Sequence, residues 1–274
     1  MSITIEKIKS WKNQKPFSAV TAYDFTSAKI IDQCKIPIIL VGDSAAMVTY
    51  GYNSTIPISM EEMLLITRAV TRAAKTSFVV GDMPFLSYQS SVSLAVKNAG
   101  LFLKAGRASA VKLEGGRVAS KHIKKIVQFG IPVMGHVGLT PQSVNQLSGY
   151  RVQGKSASAA QEVLDDARAV EDAGAFAVVL ECVPAELAKK ITETINIPTI
   201  GIGSGPSCDG QIQVFNDLLG LDKDFFPKHA KKYTNLNKEI SSSLKKYSLE
   251  VSSKKFPDKK HYTSCGKSII DKLK

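Results

Sequence analysis

The chain has 274 residues, enough for one barrel-sized domain or two small ones, and 44% hydrophobic with 22% charged residues is an ordinary soluble composition. No apolar run approaches the roughly 20 residues a membrane helix needs. Residues 1–15 lack the apolar core of a secretory signal, so a cytoplasmic protein is expected. The net charge of +12 is uneven: residues 223–274 hold 14 lysines, 5 acids and no arginine, so most of the excess sits in a basic tail. A tail of lysines without interleaved arginines and aromatics speaks for a solvated segment and against a nucleic-acid surface.

In chain order, short apolar runs alternate with helical patterns. Residues 17–22 and 35–41 read as strands, and 60–75 as a helix with Ser59 as N-cap and Glu62 completing a capping box. A strand follows at 77–80, a helix at 91–105 reaching Gly106, and strands at 109–113 and 130–134. A helix at 157–173 ends at Gly174, then come a strand at 175–180, a short helix at 184–194 and a strand at 196–200. Ile-Pro opens three of these strands, a position where proline removes no ladder donor. Continuous rather than alternating apolar runs indicate strands buried on both faces. Seven such strands separated by helices, with no break into two halves, predict an α/β protein with a closed (β/α)₈ TIM barrel. An eighth strand is expected near 218–226 and an amphipathic helix over 228–250. Residues 1–250 thus form one barrel-shaped catalytic domain with a C-terminal helix, and 251–274 a loosely held basic tail.

The strands stop at chemically competent residues. These are Asp43-Ser44, Asp82, the pair Lys112 and Glu114, His136, Glu181, and the cluster Gly201-Ile-Gly-Ser-Gly205. C-terminal strand ends carry the chemistry of a barrel. Singly, Asp43 or Asp82 could equally be a turn or helix cap, and His136 a satisfied core histidine. Lys112 and Glu114 lie two apart and share one sheet face, which is costly inside a barrel unless they pair or bind something. Glu181 after five apolar residues has no simple structural explanation. Converging carboxylates without thiols suit a hard divalent cation such as Mg²⁺, and a carboxylate held off that ion could act as general base. Cys34, Cys182, Cys208 and Cys265 are scattered, with no zinc or disulfide spacing. The Gly201–Gly205 spacing followed by Pro206 suits a tight strand-end turn better than a dinucleotide loop.

At these residues the sequence resembles the 3-methyl-2-oxobutanoate hydroxymethyltransferase (ketopantoate hydroxymethyltransferase) family. The resemblance rests on Thr21-Ala-Tyr-Asp24, Val41-Gly-Asp-Ser44, Gly81-Asp-Met-Pro-Phe85, Val111-Lys-Leu-Glu-Gly-Gly116 and Gly135-His-Val-Gly-Leu-Thr-Pro-Gln142. It continues through Gly149-Tyr-Arg-Val-Gln-Gly154, Leu180-Glu181, Gly201–Gly205 and Asp209-Gly-Gln-Ile212, and covers about residues 4–247. The resemblance implies a hydroxymethyltransferase of pantothenate biosynthesis. It would move a one-carbon unit from 5,10-methylenetetrahydrofolate to 3-methyl-2-oxobutanoate through a Mg²⁺-stabilised enolate. It implies a cytoplasmic homo-oligomer, decameric in well-known bacterial members, with small-molecule 2-oxo acid and folate partners and no membrane. Carried over by motif, Asp43, Asp82 and Glu114 match metal-associated carboxylates. Asp43, Ser44, Asp82 and Lys112 match groups holding the 2-oxo acid, and Glu181 matches the catalytic proton acceptor. His136 matches an active-site histidine of unassigned role. Ser204 and Tyr52 stand where the family often has alanine and histidine. The nearest alternative, the isocitrate lyase/phosphoenolpyruvate mutase type, commonly carries a Lys-Lys-Cys-Gly-His run that is absent here.

Overall fold

A computed structural model describes residues 3–224 and 226–273. The chain opens with α1 (Ile5–Lys9), and then strand and helix alternate: β1 (Phe17–Thr21), α2 (Phe25–Gln33), β2 (Ile38–Val41), α3 (Ala45–Val48), α4 (Met60–Ala73), β3 (Phe78–Asp82), α5 (Val92–Lys104), β4 (Ala110–Glu114), α6 (Ser120–Gln128), β5 (Val133–Gly138), α7 (Ala157–Asp172), β6 (Ala177–Glu181), α8 (Ala185–Thr194), β7 (Thr199–Ile202) and β8 (Gly210–Gln213). The remaining helices are α9 (Phe215–Leu219), α10 (Leu236–Ser252) and α11 (Lys267–Ile270). All neighbouring strands pair in parallel, and β8 closes onto β1 with Ala19 opposite Ile212, so the expected (β/α)₈ barrel is the observed fold.

Alternate residues of each strand point inward. Ala19, Ile38, Leu40, Phe78, Val80, Ala110, Met134, Ala177, Val179, Ile200 and Ile212 form one buried cluster. Burying each large aliphatic side chain of this kind stabilises by about 1.5–3 kcal/mol. Ile8 of α1 joins the cluster, with Ile3, Ile5 and Trp11 packed against it. At this end, where the strands begin, Asp209 is tightly held. It accepts from Asn13 N at 2.7 Å, Thr199 N at 2.8 Å, Thr199 Oγ1 at 3.1 Å and Lys12 Nζ at 3.0 Å.

The helix starts follow local chemistry. Ser59 and Glu62 form the expected reciprocal capping box on α4, with Glu62 Oε2 2.8 Å from Ser59 N and Ser59 Oγ 3.2 Å from Glu62 N. Gly174, just past α7, adopts φ of 94°, the left-handed conformation expected of a glycine at a helix end.

Two elements differ from expectation. The eighth strand lies at Gly210–Gln213, not near 218–226. Most other strands read as apolar runs because helices cover them, but no helix joins β7 to β8. The short connecting segment covers β8 instead, and its Gly205 carbonyl accepts from Gln211 Nε2 at 2.9 Å. A polar Gln-Ile-Gln stretch therefore serves as a strand. The C-terminal helix begins at Leu236, not at 228, because Asn235 caps it by accepting from Lys238 N at 3.2 Å.

The chain divides into two compact units, residues 1–215 with 227–230, and residues 216–226 with 231–274. In the second unit, Tyr233 N donates to Leu218 O at 2.8 Å. The ring of Tyr247, within α10, stands 5.6 Å from that of Phe256 beyond the helix, and the rings of Phe256 and His261 stand 5.1 Å apart.

Candidate active site

The inward positions change character at the C-terminal mouth of the barrel. On β3, Phe78 and Val80 give way to Asp82; on β4, Ala110 to Lys112 and then Glu114; on β5, Met134 to His136; on β6, Val179 to Glu181. Register sets Asp82 opposite Lys112 and Glu114 opposite His136. Asp43 follows β2 directly, and its backbone N–H donates to Asp82 Oδ2 at 3.3 Å. The barrel thus brings Asp43, Asp82, Lys112, Glu114, His136 and Glu181 to one rim, five of them at most 5% exposed. The side chain of Glu181 keeps 16% exposure, which leaves this carboxylate reachable from solvent.

The contacts form a chain of alternating charge. Lys112 Nζ lies 2.8 Å from both Asp82 oxygens and 3.6 Å from Glu114 Oε1. His136 Nδ1 lies 3.5 Å from the same Glu114 oxygen, and its Nε2 lies 3.3 Å from Glu181 Oε2. Both His136 approaches are at ion-pair distance but lack hydrogen-bond geometry, and Glu114 Oε1 is a buried oxygen with no hydrogen-bond partner. Ser44 heads α3 without spending its hydroxyl on a cap, and that hydroxyl sits 2.8 Å from Tyr23 Oη.

Titration follows from this arrangement. Burial, then the neighbouring Asp82 and Glu114 charges, hold the Asp43 carboxyl well above the ordinary range against the pull of Lys112. Burial also pushes Asp82 up, with Lys112 pulling back. For Glu114, burial is outweighed by Lys112, His136 and the Gln142 backbone N–H, and the net direction is down. Burial disfavours charge on Lys112, yet the three carboxylates raise it, so it is an ammonium. Burial and Lys112 oppose protonation of His136, but Glu114 and Glu181 prevail and push it up to about 9. One ammonium and one imidazolium thus face four acidic side chains. Among the described residues, no three His, Cys, Asp or Glu side chains form a closed metal cluster as they stand.

Sequence reasoning overlooked Gln142. It is buried in the turn after β5, and its Nε2 donates to Asp43 Oδ2 and Met83 O, both at 2.9 Å. Its backbone N–H donates to Glu114 Oε2 at 3.0 Å, while its Oε1 faces Tyr88 Oη and Gln89 Nε2, both at 3.0 Å. Its position at the end of the Gly135–Gln142 motif was the available signal, but an amide does not titrate and attracts no notice in a search for acids and bases. Ser204 was noted only as a departure from the family. Buried at the β7 end, its hydroxyl donates to Leu180 O at 2.7 Å and accepts from Val183 N at 3.1 Å, so it spans the Glu181-Cys182 turn. That turn needs holding, since Cys182 has φ of 48°. The Cys182 thiol is pushed up to about 11 by burial and the Glu181 charge, so it stays a thiol at neutral pH.

An eight-stranded parallel barrel with acids, a lysine and a histidine on its C-terminal rim has the layout of a barrel enzyme, whose active site sits at that rim. Solved structures of like shape include phosphonopyruvate hydrolase (TM-score 0.62, 13% identity, 99% of this chain and 94% of that one) and 2,3-dimethylmalate lyase (TM-score 0.59, 16% identity, 93% and 99%). At such identity they establish the fold alone. A family-level match to ketopantoate hydroxymethyltransferase spans residues 2–259. The 3-methyl-2-oxobutanoate hydroxymethyltransferase of Dehalococcoides mccartyi is 52% identical over 100% of this chain and 98% of its own. That of Carboxydothermus hydrogenoformans is 51% identical over 99% of each. That of Campylobacter jejuni subsp. doylei is 52% identical over 97% and 96%. The chain belongs to the ketopantoate hydroxymethyltransferase family and is a transferase. Among its described residues, no helix is long and apolar enough to cross a membrane.

Proposed function

We propose that this chain transfers a hydroxymethyl unit from 5,10-methylenetetrahydrofolate to C3 of 3-methyl-2-oxobutanoate, forming ketopantoate for pantothenate synthesis. The reading is supported by the names of the relatives and carried by one observation: a buried Asp82–Lys112–Glu114–His136–Glu181 chain with more acid than base at the barrel mouth. The donor set fits a hard divalent cation. It is all oxygen, Glu114 Oε1 is buried without a hydrogen-bond partner, and burial together with the Asp82 and Glu114 charges holds Asp43 above the ordinary range despite Lys112. Asp43 and Asp82 would hold Mg²⁺, with Glu114 associated. When bound, the cation would supply Lewis acidity at the keto and carboxylate oxygens of the 2-oxo acid.

The protein's own groups do the rest. Lys112, kept charged by its carboxylate neighbours, adds positive charge where the ketone oxygen becomes negative. Ser44, with its hydroxyl against Tyr23, orients the substrate carboxylate. Glu181, the most accessible acid of the set, takes the C3 proton. Water takes the one-carbon unit off the folate as formaldehyde, freeing tetrahydrofolate. The electron pair left at C3 bonds to the formaldehyde carbon while its C=O π pair moves to the oxygen, which takes up a proton as the new hydroxyl. His136, charged between Glu114 and Glu181, keeps the Glu181 carboxylate on its side of the mouth. By family, the working form is a homo-oligomer in the cytoplasm.

The test is Mg²⁺-dependent deuterium wash-in at C3 of 3-methyl-2-oxobutanoate without folate. Wild type should exchange, and Glu181→Gln should bind substrate and metal but not exchange. Unchanged exchange in that variant removes Glu181 as the base.

A further inference from the structure

Gln142 is an uncharged side chain bonded into the acidic cluster from behind, and both hydrogens of its amide nitrogen are used. Nε2 has two hydrogens and two acceptors, Asp43 Oδ2 and Met83 O. Oε1 receives Gln89 Nε2 and faces Tyr88 Oη. The orientation of the amide is set by chemistry, since a flipped group would put its oxygen against the Met83 carbonyl, which cannot donate. The same residue's backbone N–H takes Glu114 Oε2. Tyr88 Oη, which accepts from Glu114 N at 3.1 Å, braces both Gln142 and Glu114. One residue therefore occupies one oxygen on each of two acids that come from different strands.

We propose that Gln142 is a positioning residue for the divalent-cation site: by occupying Asp43 Oδ2 and Glu114 Oε2 it leaves Asp43 Oδ1 and Glu114 Oε1 as the oxygens presented to the ion and its ligands. The inference rests on the metal-site reading above. Gln142 touches neither substrate nor ion; it fixes rotamers. Groups that hydrogen-bond metal-bearing carboxylates carry a substantial part of the affinity, because they fix the ligand's direction before the ion arrives.

The experiment titrates the full-length, metal-free protein with Mn²⁺ and follows free and bound ion by electron paramagnetic resonance. Gln142→Met, similar in length but unable to hydrogen-bond, should weaken Mn²⁺ binding by about 10–100-fold and alter the bound-ion spectrum. Lys12→Met, which breaks the Lys12–Asp209 pair at the opposite end of the barrel, controls for lost stability and should keep wild-type affinity. If Gln142→Met does not fold, Tyr88→Phe removes only the bracing hydroxyl and should weaken binding severalfold. Affinity within twofold of wild type in each folded variant of this pair overturns the proposal. Asp82→Asn separates the two layers: wild-type affinity there overturns the metal site itself, whereas weak binding there with normal binding in the Gln142 and Tyr88 variants overturns only the positioning role.

Discussion

Replacing Lys112 by methionine tests whether the buried cation holds the acidic cluster together. The ammonium lies 2.8 Å from both Asp82 oxygens and is almost wholly buried, as is its partner. At an effective dielectric constant near 20, one unit pair at that distance attracts by about 6 kcal/mol before desolvation is counted. Removing one partner of a buried pair leaves the other uncompensated, at a net cost of about 3–5 kcal/mol. At about 2–4 °C per kcal/mol for a chain approaching this size, Lys112→Met should melt about 6–20 °C below wild type at pH 8 without metal. The double variant Lys112→Met/Asp82→Asn should recover much of that loss. The pH dependence has a definite sign. Asp82 is already pushed above the ordinary carboxylate range by burial, and losing Lys112 moves it further up. A carboxyl with a raised folded pKa stabilises most below its unfolded value and loses that contribution as pH rises through the folded one. The deficit of the single variant should therefore widen from pH 5 to pH 8. Circular-dichroism melts decide the matter. A single variant within 2 °C of wild type at pH 8, or a double variant below the single, would refute the electrostatic account.

The histidine makes a second pH prediction. With His136 raised to about 9, its contribution is fully present below its unfolded value near 6.5 and vanishes as pH rises through 9. Melting curves of metal-free His136→Gln should thus fall below wild type at pH 6 and converge on it near pH 10; a pH-independent gap would contradict a charged ring. Ser204→Ala removes the hydroxyl that serves Leu180 O and Val183 N, leaving a buried N–H unsatisfied at about 1–3 kcal/mol by denaturant titration. A loss under 0.5 kcal/mol would show that the Glu181-Cys182 turn holds itself. Asp209→Ala should lower the melting temperature while leaving Mn²⁺ affinity intact, because all four of its donors lie at the closed end of the barrel. Weakened Mn²⁺ binding in that variant would mean that the two ends are coupled.

The barrel was legible where its strands are buried on both faces. Runs such as Ile38–Val41 and Ala177–Glu181 are apolar because helices cover their outer side and other strands fill the interior. The candidate site was legible because its acids and bases interrupt those runs at one end, and register then sets them side by side. What escaped notice has a physical pattern. The eighth strand is covered by a short connector and not by a helix, so Gln211 faces a backbone carbonyl and no apolar run exists. The start of α10 escaped because a single asparagine side chain decides it, and the lysines before it suit a helix as well as a turn. Gln142 and Ser204 escaped because their roles depend on which carbonyls and carboxylates lie within about 3 Å, a property of the folded packing that spacing along the chain does not encode.

The two ends of the barrel show why the acidic rim is more than a structural feature. Each end buries an aspartate against a lysine: Asp209 with Lys12 where the strands begin, Asp82 with Lys112 where they finish. At the first end the Asp209 carboxylate is satisfied by two backbone N–H groups, a hydroxyl and the ammonium, and among the described residues no second acid pairs with Lys12. At the second, three further acids crowd one lysine and one histidine, an oxygen of Glu114 stays without a hydrogen bond, and Asp43 is driven toward its neutral form. A fold selected for stability alone would resolve such a cluster as the closed end resolves its own. Sequence and packing instead hold these groups in a strained charge balance, and Gln142, Tyr88 and Ser204 brace it from behind. The unmatched negative charge is a standing preference for added positive charge at the mouth, and a divalent cation that brings its 2-oxo acid with it would satisfy that preference.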